Sequence, residues 1–357
     1  MPKVLVIDDS ALMRKRLSQM LEARKWQVST ARNGAQALDM VEACAPDVIT
    51  LDINMPEMDG LTFLGHLMHR RPTPVVMVSS LTEAGALATF EALQLGAVDY
   101  VHKPDGTVSL DLHRVEEEIC AKVAAAARAR LLRPGAVRRP VPAARPQRPA
   151  PAAGSAPGQT PEKLVLVGAS TGGPRALEEL ISALPGDFPA PILICQHMPA
   201  AFTGPFAARL DQIAALRVQE VTSPTTLAPG TVYIGRGDAD VVLMRRAGNL
   251  MATSVPSDGR PWHPSIGRLV ETALAHMPAE RLVGVMLTGM GDDGTPEMTK
   301  LRRGGGRTVA QDEETSVVFG MPAALIAAGG AETVLPLARI PARIGVWLNR
   351  AQIRRGA

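Results

Sequence analysis

Lys3-Val4-Leu5-Val6-Ile7-Asp8-Asp9 opens the chain, and Leu164-Val165-Leu166-Val167-Gly168-Ala169-Ser170 repeats its pattern past the middle. Each is a short, unbroken apolar run that stops at small or polar residues. Alternation would mark a strand with one wet face, whereas an unbroken run marks a strand covered on both faces, as in a parallel sheet. Runs at 48–51, 75–78 and 98–101 follow the first, and runs at 191–195 and 283–287 follow the second. Between them apolar residues recur at helical spacing, for example Leu12, Leu17, Met20, Leu21 and then Leu61, Leu64, Leu67. Strands alternating with helices predict an α/β chain: a doubly wound parallel sheet in the first part and a second α/β parallel sheet after it.

The 357 residues exceed one average domain, so two are expected. Apolar residues make up 46% and charged residues 20%, a globular composition. Six Phe, three Trp and two Tyr are too few for the stacking platforms of a single-strand nucleic-acid binder. The net charge of +3 is uneven. Residues 1–127 hold 12 basic and 17 acidic side chains, 128–161 hold seven arginines and no acid, and 162–357 hold 19 and 18. The middle stretch is also interleaved with eight prolines, so it reads as a semi-rigid tether between domains at 1–127 and 162–357. No apolar run nears the length of a membrane span, and the short run at the N-terminus does not resemble a signal peptide. Three scattered cysteines (Cys44, Cys120, Cys195) make neither a disulfide framework nor a zinc pattern. A reduced, cytoplasmic protein is expected, with no membrane insertion and no nucleic-acid partner.

Polar residues sit where the apolar runs of the first domain end: Asp8 and Asp9, Asp52, Ser79 and Lys103. In open α/β sheets that edge is the ligand crevice. Clustered carboxylates suit a hard cation such as Mg²⁺. With a lysine and a hydroxyl alongside, they are what phosphoryl transfer to an aspartate needs. Capping of the next helix would explain Asp8 and Asp9 alone. In the second domain, Gly168-Ala169-Ser170-Thr171-Gly172-Gly173-Pro174 turns from a strand into a helix, where free amides favour negative charge. The turn fits either a nucleophile or a phosphate cradle, although it lacks the lysine of a P-loop. His197 follows the next run, and Thr288-Gly289-Met290-Gly291-Asp292-Asp293-Gly294 follows the third. A hydroxyl, an imidazole and a carboxylate on three strand ends fit a nucleophile, a base and an orienter. His263 is the rival to His197, either aspartate of the pair is eligible, and His66 with His69 reads as a surface face.

Val6-Ile7-Asp8-Asp9-Ser10, Leu51-Asp52-Ile53-Asn54-Met55-Pro56-Glu57-Met58-Asp59-Gly60, Val78-Ser79-Ser80 and His102-Lys103-Pro104 resemble the receiver domain of bacterial response regulators. The resemblance implies a flavodoxin-like sheet, with Asp52 as phosphoacceptor and Asp8, Asp9, Asp52 and the Asn54 carbonyl organising Mg²⁺. It makes Ser79, Tyr100 and Lys103 the residues that sense the phosphoryl group. The second domain is similar to the chemotaxis protein-glutamate methylesterase (CheB) family. That likeness rests on the Ser170 turn, Gln196-His197-Met198-Pro199, Phe202-Thr203, the 288–294 motif and Val318-Phe319-Gly320-Met321-Pro322. It implies a Ser170–His197–Asp293 triad, with Asp293 rather than Asp292, and an oxyanion held by amides near Thr171 and Met290. The implied substrates are methyl esters, and glutamines, on chemoreceptors. The implied phosphodonor is a chemotaxis histidine kinase, with no cofactor in the esterase domain. A silent, phosphorylation-dependent binding module competing for that kinase is the alternative. Two departures stand out. Asp240 replaces a histidine in Gly237-Asp238-Ala239-Asp240, and His263-Pro264-Ser265-Ile266-Gly267 replaces an Arg-Pro-Ser-Val-Asp pattern. Both are expected to stand clear of the triad.

Overall fold

A computed structural model describes residues 1–79, 82–103, 109–129 and 161–353, and the chain divides into two compact units, Met1–Arg139 and Pro140–Ala357. Ser80, Pro104 and nearly all of the arginine- and proline-rich stretch lie outside the described residues.

Unit one places helices α1 (Ala11–Glu22), α2 (Gly34–Cys44), α3 (Gly60–Arg70), α4 (Glu83–Leu95) and α5 (Ser109–Ala126) around five strands. The strands are β1 (Lys3–Ile7), β2 (Gln27–Ala31), β3 (Val48–Asp52), β4 (Val75–Ser79) and β5 (Asp99–His102). They form one parallel sheet in the order β2-β1-β3-β4-β5. Asp52 and Ser79 prove to be the last residues of their strands rather than the first beyond them. In α1 the buried face is Leu17, Met20 and Leu21, while Leu12 is 76% exposed. At about 100° per residue, Leu12 lies roughly 140° round the helix from Leu17, so it belongs to the wet side.

Unit two is built on β6 (Leu164–Ala169), β7 (Ile192–Gln196), β8 (Arg217–Val221), β10 (Thr231–Gly235), β13 (Leu282–Met286), β14 (Arg307–Gln311) and β15 (Thr333–Leu335). These lie in the order β15-β14-β13-β6-β7-β10-β8, parallel throughout. The helices are α6 (Gly173–Ser182), α7 (Ala200–Ile213), α8 (Ile266–His276), α9 (Thr295–Arg303), α10 (Met321–Ala327) and α11 (Ile340–Ile353). Strand order reverses at β6, which has β7 on one side and β13 on the other. Such switch points open a crevice at the carboxyl ends of the strands. Not foreseen is a small antiparallel sheet of β9 (Thr225–Thr226), β11 (Ala239–Arg246) and β12 (Asn249–Pro256). The β11–β12 hairpin turns through Ala247 and Gly248, both at positive φ, as a two-residue hairpin turn requires. Leu166, Leu193, Tyr233, Leu243, Ile266 and Leu269 join the parallel sheet, the hairpin and α8 in one core.

Candidate active site and phosphoacceptor site

In unit one Asp52 is buried at the end of β3. Its Oδ1 accepts the Ile53 amide at 2.7 Å and its Oδ2 accepts Lys103 Nζ at 2.7 Å. Lys103 Nζ also lies 3.2 Å from Asp8 Oδ2. Asp8, Asp9 and Asp52 each offer an oxygen within 4.8 Å of the others. One ammonium thus faces two buried carboxylates and a third at the rim. Burial raises the Asp8 carboxyl above its ordinary value and the charge of Asp52 adds to that; burial also raises Asp52, against the pull of Lys103. Excess buried negative charge on oxygen donors fits a hard divalent cation. A hollow of about 240 Å³ is lined by Asp9, Asp52, Ile53, Asn54, Ser79 and Lys103. Gly60 explains part of the 51–60 motif: a Cβ there would stand 2.1 Å from the Asp52 carbonyl oxygen, so the loop folds back only with glycine. Tyr100 does not line the hollow. It is buried in β5, its ring 5.0 Å below Lys122 Nζ, which donates to its carbonyl at 2.8 Å.

In unit two the register aligns Ala169 of β6 with Gln196 of β7 and Gly168 with Met286 of β13, so the residues that follow meet at one edge. Ser170 donates its amide to the Thr288 carbonyl at 3.0 Å, and its own carbonyl accepts Gln196 Nε2 at 3.0 Å. His197 donates its amide to the Ala169 carbonyl at 3.1 Å. Its Nε2 lies 2.9 Å from Asp293 Oδ2, while Nδ1 is buried and has no hydrogen-bond partner among the described residues. Asp293 also accepts the Ile266 amide at 2.7 Å, the Gly267 amide at 3.1 Å and Ser265 Oγ at 3.2 Å. Burial would raise its carboxyl, but the hydrogen bond from His197, that ring's charge and the two amides outweigh burial and hold it below the ordinary range. Asp292 is exposed and takes no part beyond accepting the Thr295 amide at its carbonyl. The loop of Met290 packs closely on Ser170, for a Cβ at Gly289 would stand 2.7 Å from Ser170 Cβ. Thr171 is buried, its carbonyl taking Thr288 Oγ1 at 2.9 Å.

The expectation that both departures stand clear of the triad is corrected for the segment His263–Gly267, while Asp240 reaches the triad only through Ser265. Ser265 and the two residues after it supply three of the four bonds to Asp293. Asp240 is fully buried and accepts His263 Nδ1 at 3.0 Å and the Ser265 amide at 2.8 Å. His263, the rival base, thus pairs through Nδ1 with Asp240 and not with Asp293. Sequence reasoning also missed Trp262, whose ring stacks on His197 with centroids 5.3 Å apart and planes 7° from parallel. The departure of this segment from the resembled pattern was the only signal for it. Cys195, beneath the site, is no competing nucleophile: burial, and then Asp293 and Asp240, push its thiol well up.

The sequence matches known families and proteins. The response regulator receiver domain profile matches residues 4–112 and the CheB methylesterase profile residues 165–344. The chain is 50% identical to a protein-glutamate methylesterase/protein-glutamine glutaminase of Rhodospirillum rubrum, over 99% of this chain and 98% of that one. It is likewise 50% identical to one of Rhodopseudomonas palustris, over 98% and 99%. The crystal structure of the Thermotoga maritima CheB methylesterase catalytic domain is similar at 41% identity, over 51% of this chain and 96% of that one, with a TM-score of 0.49. Aligned at half identity along nearly its whole length, with both domain profiles in the same order, the chain belongs to the CheB family of protein-glutamate methylesterases/protein-glutamine glutaminases.

Proposed function

We propose that the chain, as a protein-glutamate methylesterase of this family, hydrolyses γ-glutamyl methyl esters on chemoreceptors through Ser170, His197 and Asp293, and that phosphorylation of Asp52 by a chemotaxis histidine kinase activates it. The observation that carries the reading is the His197–Asp293 pair at 2.9 Å, one strand end away from Ser170 at the switch point of the sheet. With Nε2 committed to Asp293, Nδ1 is left as the base. It takes the Ser170 proton as Oγ bonds to the ester carbon, and it returns that proton to the methoxy oxygen as the carbon–oxygen bond breaks and methanol leaves. Water, deprotonated by the same nitrogen, then releases the glutamate and restores Ser170. Asp293 holds the ring and stabilises its charged form between these transfers. Amides near Thr171 and Met290 hold the oxyanion, each such donor being worth about 3–4 kcal/mol of barrier. Deamidation of receptor glutamines follows the same route with ammonia leaving. A silent binding module competing for the kinase has no support in the comparisons.

In unit one Asp8, Asp9, Asp52 and the Asn54 carbonyl would hold Mg²⁺, which screens the charge brought together when phosphate meets Asp52. Lys103 and Ser79 would bind the phosphoryl oxygens, and Tyr100 would reorient with Ser79. Asp52 provides the attacking oxygen, and Lys103 keeps it ionised and placed. Residues 128–161 would tether the two domains. Among the described residues no helix is long and apolar enough to cross a membrane. The reading is tested by methanol release from a methylated receptor fragment. Release by the wild type that disappears in Ser170→Ala supports it; equal release by both proteins contradicts it.

A further inference from the structure

Two carboxylates, each met by a histidine, share the N-terminus of α8. Asp293 takes the Ile266 and Gly267 amides and faces His197; Asp240 takes the Ser265 amide and faces His263. Ser265 joins them, because its hydroxyl accepts the Arg268 amide at 3.2 Å and donates to Asp293 Oδ1 at 3.2 Å. The second oxygen of Asp240 holds Arg268 Nη1 at 2.8 Å, and that guanidinium also reaches the Pro256 carbonyl at 2.8 Å. The segment 262–265 thus touches the catalytic groups at both ends: Trp262 lies on the face of His197 and Ser265 on Asp293. His263, between them, is tied to a carboxylate with no exposed surface.

Resting on the triad reading above, we propose that the Asp240–His263 pair positions the catalytic groups: it anchors segment 262–265 so that Trp262 fixes the His197 ring and Ser265 fixes Asp293. Neither residue touches substrate. A carboxylate inside the fold is fixed by the donors around it, and Asp240 has three from three places: the His263 ring, the Ser265 amide and Arg268 on α8. Removing the His263 donor loosens what is, among the described residues, the only side-chain hydrogen bond of His263 and Pro264. Displacements on the order of 1 Å in a catalytic constellation cost about 10²-fold in rate. The other groups facing this cluster are Asp258, paired with Arg268 at 3.5 Å, the Cys195 thiol of β7, which donates to the Ser265 carbonyl, and Glu297 of α9 against Gly267.

The test uses the full chain with a phosphate donor and a methylated receptor fragment, following methanol release across pH. His263→Ala is expected to lower kcat by about 10- to 100-fold with KM within about twofold, as loss of positioning without loss of binding. The acid limb of its kcat/KM profile should move to lower pH, because a misaligned Asp293 stabilises charged His197 less. His263→Asn places an N–H donor near the position of Nδ1 and should restore kcat to within about threefold of wild type. Asp240→Ala, which removes the oxygen that accepts the His263 ring, should reproduce the loss and the moved limb, and it reads the same quantities if His263→Ala does not fold. Wild-type kcat in both His263→Ala and Asp240→Ala overturns the proposal. So does a loss with an unmoved limb that His263→Asn fails to restore. Absence of release from folded wild type would instead overturn the triad reading on which this rests.

Discussion

In the proposed triad His197 divides its two nitrogens between Asp293 and the reaction, and its environment admits little else: Trp262 covers one face and the side chain is 8% exposed. Ser170→Ala should therefore lower methanol release by about 10⁴-fold or more, and Asp293→Asn by roughly 10³–10⁴-fold, with thermal melting little changed. The carboxyls also predict opposite pH dependences for the two units. Asp293 and Asp240 are held below the ordinary carboxylate value of 3.8. Their contribution to stability is complete above that value and is lost as pH falls through the folded-state values beneath it. Asp8 and Asp52 are raised above 3.8, so unit one loses stability as pH rises from that value through their folded-state values. Asp8→Asn should then raise the melting temperature of the receiver at neutral pH without Mg²⁺, and the stabilisation expected on adding Mg²⁺ to the wild type should be mostly lost in the variant. A lower melting temperature in Asp8→Asn would contradict the charge argument. Asp52, Ser170 and His197 could be singled out in the sequence because each lies at or just past a strand end, whereas Asp293, in the loop between β13 and α9, was separated from Asp292 only by the family resemblance. The sequence did not show Asp240, Trp262 and Ser265, because their meeting depends on where the β11–β12 hairpin and the N-terminus of α8 come together.

At the scale of elements, the longest apolar runs marked strands, but β10 and β14, interior and mostly buried, went unread because threonine, glycine, arginine and glutamine cut their apolar runs short. β2 lies at the edge of its sheet, has a partly exposed polar sequence (Gln27-Val28-Ser29-Thr30-Ala31) and so gives no apolar run. The antiparallel sheet was missed for a related reason: β11 and β12 mix buried with half-exposed positions and fall between the longer apolar runs. Leu12 shows the limit of spacing alone, since an apolar residue in a helix is not thereby on the buried face. The loops are stricter. Gly60→Ala would drive a Cβ into the Asp52 carbonyl oxygen, which is backbone and cannot turn aside. A loss of about 1–3 kcal/mol in receiver stability is expected from such overpacking, measured by denaturant unfolding of the intact chain. Phosphorylation of Asp52 should weaken with it, because the same loop carries Asn54. Unchanged unfolding in Gly60→Ala would show that the loop has room the geometry denies.

For the whole molecule, charge and composition separate an acidic first domain, a basic proline-rich stretch and a nearly neutral second domain. The two described units each complete a sheet and a site of their own. Coupling between them is expected: phosphate placed on Asp52 should control chemistry at Ser170. The most direct measurement is methanol release from a methylated receptor fragment by wild type and by Asp52→Ala, each with and without a small phosphate donor and Mg²⁺. The account predicts that the donor speeds the wild type and leaves Asp52→Ala at its basal rate. Equal stimulation of both proteins would contradict it.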